Sequence, residues 1–148
     1  MRTRELGFTL FEMLAVMVIL GLVFAAVPIA ARSTSPIAKA KNDAATISAR
    51  LRGLRAAAIA TSGQKFAVVD IAKRQIRFDD GRAPITIDRA LSISVTSADS
   101  ERTANGLRGI SFYPNGGSSG ATITIASGSK GYRIRVNWLT GRVSTDAI

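Results

Sequence analysis

The chain has 148 residues, 47% of them hydrophobic, and no Cys or His. That composition rules out disulfide staples, thiol chemistry and thiolate metal sites, and removes the commonest general base and metal ligand, so the chain reads as non-catalytic and without a cofactor. Twenty Lys plus Arg face ten Asp plus Glu for a net charge of +10, and the segment before residue 32 is neutral, so all of the excess lies in the 117 residues from Arg32 to Ile148.

The chain opens on a short head with Arg2 and Arg4, followed by an apolar run from Phe8 to Ala31. Twenty-four residues at roughly 1.5 Å each are enough to cross a bilayer as a helix. Basic residues before the run keep the N-terminus in the cytoplasm and send the remainder across the membrane. Glu12 is the single charge in the run, and a carboxylate among Phe11, Met13, Leu14 and Val16 points to a partnered, functional group. A secretory signal peptide would have a shorter core and an A-x-A-like end, which Ile29-Ala30-Ala31 matches poorly. A plain anchor leaves Glu12 unexplained unless it snorkels to the headgroups. Pro28 removes one backbone donor near the outer end of the run, where a kink or local opening and simple tolerance are equally open.

Ser33-Thr34-Ser35-Pro36 predicts a helix break and restart, with Ser35 as N-cap and Pro36 at the first helical position. Ile37, Ala40, Ala44, Ile47, Leu51, Leu54 and Ala58 then recur three and four apart, one apolar face of a helix that Gly63 stops. Lys39, Lys41, Asp43, Arg50 and Arg52 occupy its other faces, and the many Ala in the stripe predict close docking against a sheet.

From Gln64 the period becomes two. A hairpin is expected from Lys65–Ile71 and Gln75–Phe78, then short strands at Ile85–Ile87, Leu91–Thr96, Ile110–Tyr113, Thr122–Ala126, Tyr132–Asn137 and Arg142–Ser144. These predict an α+β domain of two small antiparallel sheets with the helix against one of them. Ser97–Arg108 is polar and reads as an exposed loop, and Asp79-Asp80-Gly81 as a hairpin turn rather than a calcium loop. Pro114 to Gly120 is rich in Gly and Ser, but no P-loop Lys or helix follows, so it predicts a turn; Ser118 and Ser119 have no His partner. Trp138 reads as an anchor for the last turn before Gly141, or as a contact for a partner subunit. The Arg and Lys clusters fall in separate elements. A solvated basic surface, attraction to polyanions and complementarity to an acidic protein are all open.

Gly7-Phe8-Thr9-Leu10-Phe11-Glu12-Met13-Leu14 closely resembles the class III signal of type IV pilins and type II secretion pseudopilins. The resemblance implies cleavage after Gly7 by prepilin peptidase, N-methylation of Phe8, and an assembly role for Glu12, five residues into the mature chain. Each part has a physical reason: Gly7 permits an extended backbone in a protease site. Cleavage creates a cationic amine at Phe8, and in low dielectric Glu12 of a neighbour attracts it strongly enough to set axial register. On this reading residues 1–7 are the leader, 8–31 the transmembrane and assembly segment, 32–63 the amphipathic helix and 64–148 a periplasmic β-rich domain. The fold is then pilin-like, a long N-terminal helix on two small antiparallel sheets.

Phe112-Tyr113-Pro114-Asn115-Gly116-Gly117-Ser118-Ser119-Gly120, the strand Thr122–Ile125, and Tyr132 through Val143 resemble the end of H-type minor pseudopilins, which sit near the tip of the type II secretion pseudopilus. The partners implied are the major pseudopilin, other minor pseudopilins, an inner-membrane assembly platform and a cytoplasmic ATPase. The inner membrane holds the subunit before assembly, and no small-molecule substrate is implied. The alternative is a FimT-like minor type IV pilin engaged in pilus assembly or DNA uptake. DNA-binding members carry Gly-Arg-x-Arg, whereas Gly141-Arg142-Val143-Ser144 lacks the second Arg. The loss of one phosphate contact weakens a nucleic-acid partner.

Overall fold

The computed structural model describes residues 9–31, 35–97 and 107–148, with the side chains of 24–31 excepted. The chain divides into two compact units, one up to Thr34 and one from Ser35 to Ile148.

The first unit holds helix α1, Leu10–Ala31, which continues through Pro28. Among the residues whose side chains are described, no helix is long and apolar enough to cross a membrane. The described part of α1 carries one charge, Glu12, at its first turn.

The second unit begins with helix α2, Pro36–Ala60, with Pro36 at its first turn as the sequence predicts. Ser35 occupies the N-cap position, but its side chain makes no capping hydrogen bond; Ser33 and Thr34 lie outside the described residues. The predicted stripe is the buried face: Ala40, Ala44, Ile47, Leu51, Leu54 and Ala58 are enclosed, with Ile37 packed at the margin. Ser48 joins them, its hydroxyl 2.6 Å from that of Thr145. The stop differs from expectation, because the left-handed residue is Ser62 (φ 48°), not Gly63. The Ser62 and Gly63 amides donate to the Ile59 and Ala58 carbonyls, the double closure that ends many helices.

Eight strands follow: β1 (Lys65–Asp70), β2 (Gln75–Phe78), β3 (Ile85–Thr86), β4 (Ser92–Ser97), β5 (Leu107–Phe112), β6 (Ala121–Ser127), β7 (Lys130–Val136) and β8 (Val143–Ala147). They form two antiparallel four-stranded sheets, ordered β3-β2-β1-β5 and β4-β6-β7-β8. Most strand boundaries shift by one to three residues from those predicted, and only Gln75–Phe78 keeps both of its ends. Leu107 and Arg108 belong to β5, pairing with Asp70 and Val69, and Ser97 belongs to β4. The predicted loop is thus shorter at both ends, and its residues 98–106 lie outside the described ones. The last strand starts later, at Val143, and runs to Ala147, because Arg142 still belongs to the turn that Gly141 makes at φ 62°.

The helix also does more than predicted. α2 touches β6, β7 and β8 of one sheet and β1, β2 and β5 of the other. The inward residues of both sheets, among them Val69, Ile76, Ile110, Phe112, Ile123, Ile125 and Ile134, meet the α2 stripe in one continuous core. Each such side chain is worth about 1.5–3 kcal/mol when enclosed. The small Ala side chains of α2 let one helix seat against two sheets together.

Candidate functional site: an uncovered apolar helix and a cationic domain end

The described large apolar residues of α1, from Leu10 to Val23, are exposed: Leu10 is 86% exposed, Met17 71%, Leu22 67%, and even Val16 is 44% exposed. An α-helix apolar all round is at home in lipid or among other apolar helices, not in water. Gly7 and Phe8, the expected points of cleavage and methylation, lie outside the described residues.

Thr9 starts the helix. The Glu12 amide donates to the Thr9 hydroxyl at 3.3 Å and to its carbonyl at 3.1 Å. Thr9-Leu10-Phe11-Glu12 therefore has the Thr-x-x-Glu spacing of a capping box, with Thr9 as the N-cap. Sequence reasoning passed over Thr9, although that spacing was its signal. Glu12 is exposed, and its carboxylate has no partner among the described residues. Its position in the first turn suits the positive end of the helix dipole, worth about 0.3–1 kcal/mol. That local role leaves both carboxylate oxygens free to accept from another molecule.

In the domain, many of the cations that raise the net charge hold the fold together. Arg50 forms a bidentate bond to Asp80 (2.6 and 2.9 Å), donates to the Ala83 carbonyl at 2.8 Å, and lies 4.1 Å from the Phe78 ring centre. The Arg50 bond holds the Asp80 carboxyl below the usual carboxylate range. Lys39 does the same for Asp88 at 2.7 Å, Lys65 meets Asp79, and Arg135 meets Asp146. Arg74, itself at φ 55°, donates to the carbonyls of Ile87, Asp88 and Leu91. Asp43, half-buried, moves the other way: burial, then the charge of Asp88, raises its carboxyl. The Asp79-Asp80-Gly81 turn is thus tied by its acids to α2 and β1, with Gly81 at φ 72°.

The Gly and Ser run after Phe112 is a structural turn. The Tyr113 amide donates to the Gly117 carbonyl at 3.0 Å, the Ser118 amide reaches the Trp138 carbonyl at 2.8 Å, and the Ser119 hydroxyl accepts from the Ser111 amide. The facing turn is organised by Asn137, whose side-chain oxygen accepts from the Leu139 and Thr140 amides at 3.0 and 2.9 Å. Arg55 ties both turns to α2, its Nε donating to the carbonyls of Gly116 and Thr140 at 3.0 Å each. Trp138 is not the expected anchor. Its side chain is 67% exposed beside Leu139 at 66%, and Asn137 and Arg55 do the anchoring. Arg142, the one Arg kept from the Gly-Arg-x-Arg signature of the alternative reading, lines one groove at this end of the domain with Arg52 and Arg55.

Comparison with known proteins gives a consistent picture. A prokaryotic N-terminal methylation motif matches residues 2–28, and the type II transport protein GspH family model matches residues 40–141. No curated protein matches the chain. Two structures of the minor pseudopilin EpsH from the type II secretion system of Vibrio cholerae are similar in fold. One is 20% identical, covering 74% of this chain and 97% of that one, with a TM-score of 0.59. The other is 18% identical over 76% and 98%, also at 0.59. The type IV minor pilin FimU of Pseudomonas aeruginosa is 13% identical over 72% and 87%, at 0.51. With the family model spanning the domain from Ala40 to Gly141, the chain belongs to the type II transport protein GspH family, the H-type minor pseudopilins that its C-terminal half resembles.

Proposed function

We propose that this chain works by polymerisation, as a minor subunit of the type II secretion pseudopilus that joins near the filament tip and supports export of folded proteins across the outer membrane. Prepilin peptidase cuts after Gly7 and methylates Phe8. The subunit waits in the inner membrane, single-pass, with the N-terminus cytoplasmic and the domain periplasmic. It then joins the major and other minor pseudopilins at an inner-membrane platform. The observation that carries the reading is the exposed apolar surface of the described part of α1, with one free carboxylate in its first turn. Moving such a helix from lipid into a bundle of like helices exchanges one apolar environment for another at little net hydrophobic cost. Position-specific attraction must then come from charge, and Glu12 of one subunit can meet the methylated amine of Phe8 on the next. The domain contributes shape and contacts rather than catalysis.

Intact-mass analysis of the protein extracted from membranes tests the first step. The expected mass lacks residues 1–7 and carries one added methyl group. A chain with its first seven residues and no methyl would be an ordinary anchored protein.

A further inference from the structure

Two grooves flank α2, and they differ in charge. One is lined by Arg50, Lys65 and Arg82 together with Asp79 and Asp80, so its charges are nearly balanced within the domain. The other, about 910 Å³, is lined by Arg52, Arg55 and Arg142 with Asn137, Thr140, Gly141 and Val143, and no carboxylate among the described residues faces them. Arg52 and Arg55 stand three apart on α2, hence side by side. Arg55 is fixed through its Nε by two carbonyls. The side chains of Arg52 and Arg142 are exposed and bonded to nothing among the described residues. Holding three guanidinium groups together costs repulsion that an incoming anion would relieve.

We propose that this groove docks a carboxylate-bearing segment of a neighbouring protein subunit, an inference that rests on the filament reading above. Charge alone would admit any polyanion, and three features favour a protein. The cations line a single groove rather than forming the extended track that a nucleic-acid backbone follows. Trp138 and Leu139 stand exposed next to the groove, and an aromatic with arginines is the composition of a protein–protein hot spot. Leu139 has no hydrogen-bonding role toward a phosphate but can fill an apolar pocket.

Trp138 is the only Trp in the chain and directly follows Asn137, which lines the groove, so its emission reports on binding beside the groove. The full-length protein in detergent micelles is titrated with a Trp-free peptide of about a dozen Asp and Glu residues around a central Leu, and with an oligothymidine of equal charge. The peptide is expected to shift Trp138 emission to the blue in a saturable, salt-sensitive way. Arg52→Glu with Arg142→Glu should weaken binding roughly tenfold or more, and Arg77→Glu, an exposed cation on β2 away from the groove, should leave it within about twofold. Because Arg52 and Arg142 hold no partner, the double variant keeps the wild-type Tm. Absence of saturable binding at low salt, an equal effect of Arg77→Glu, or tighter binding of the oligothymidine would overturn the proposal. Intact mass read on the same sample separates the two ideas. A correctly processed chain that ignores the peptide sinks the groove alone, whereas an unprocessed chain that binds it sinks the filament reading alone.

Discussion

Helix α1 and helix α2 are of similar length, 22 and 25 residues, and meet their surroundings in opposite ways. α2 is polar on one side and buries a narrow stripe of Ala, Ile and Leu against two sheets, so its apolar demand is met within its own chain. α1 is apolar all round, and its described side chains stay exposed. On the proposed function this is a division of labour: the apolar demand of the domain is met within residues 35–148, and α1 is left for lipid or for other subunits. Charge follows the same division. The described acids of the domain other than Asp43 are engaged locally, four as ion pairs and Asp70 through the Lys73 amide, whereas the single acid of α1 is free.

The largest effect that would break this contrast is loss of Glu12. Glu12→Leu should insert and be processed normally and leave the domain's Tm unchanged, while incorporation into filaments falls roughly tenfold or more, as expected when one partner of a desolvated ion pair is removed. Co-purification with the major pseudopilin measures it. Normal incorporation would confine Glu12 to its place in the Thr9 cap.

Gly141 probes the other half of the contrast, the self-sufficiency of the domain. It sits at φ 62°, and a Cβ there would lie 2.3 Å from the Gly116 carbonyl oxygen and 2.8 Å from Nε of Arg55. Gly141→Ala should therefore break the junction between both turns and α2, at about 3 kcal/mol, and lower Tm by roughly 10 °C. Processing at Gly7 should be unchanged. An Ala variant as stable as the parent would show that Arg55 does not hold these turns.

Arg50→Lys is smaller. It keeps the charge but gives up the two-point grip on Asp80 and the stacking on Phe78, about 1–2 kcal/mol. The pH dependence has a definite sign. The folded carboxyl of Asp80 is held below its unfolded range, so this stability is present above pH of about 4 and is lost as pH falls through the lowered folded value. Urea denaturation of both forms should give curves that differ at pH 7 and approach each other near pH 3.

The same contrast explains how much the residues revealed. The α2 stripe, the β1–β2 hairpin and the restart at Pro36 were legible because periodicity and proline chemistry are local. The seating of α2 on both sheets was not, since a stripe states that a face is buried but not how many partners bury it. Arg50, Arg55 and Arg74 read as surface charge because their partners, Asp80, the Gly116 and Thr140 carbonyls, and the Ile87 to Leu91 carbonyls, lie 13 to 85 positions away. The sequence marked Trp138 as either anchor or contact, and only its exposure favours the second. The convergence of Arg52 with Arg142 depends on tertiary structure and has no signature in spacing.

The end of α2 gives the smallest and sharpest test. Gly63 looked like the stop because glycine favours the left-handed conformation, yet the residue that adopts it is Ser62, one position earlier, and Gly63 supplies the amide that reaches the Ala58 carbonyl. A serine held there carries a steric cost that glycine would not, partly offset by the greater freedom glycine gains in the unfolded chain. Ser62→Gly should thus raise stability by about 0.5 kcal/mol, visible as a higher urea midpoint with an unchanged slope. Gly63→Ala should be nearly neutral, because Gly63 is not in the left-handed conformation and an added Cβ would meet only Thr61, its hydroxyl at 3.4 Å and its carbonyl oxygen at 3.7 Å. The opposite ranking would place the helix stop back on Gly63. Either result leaves Glu12 and the N-terminal processing untouched, since this helix end belongs to the self-contained half of the chain.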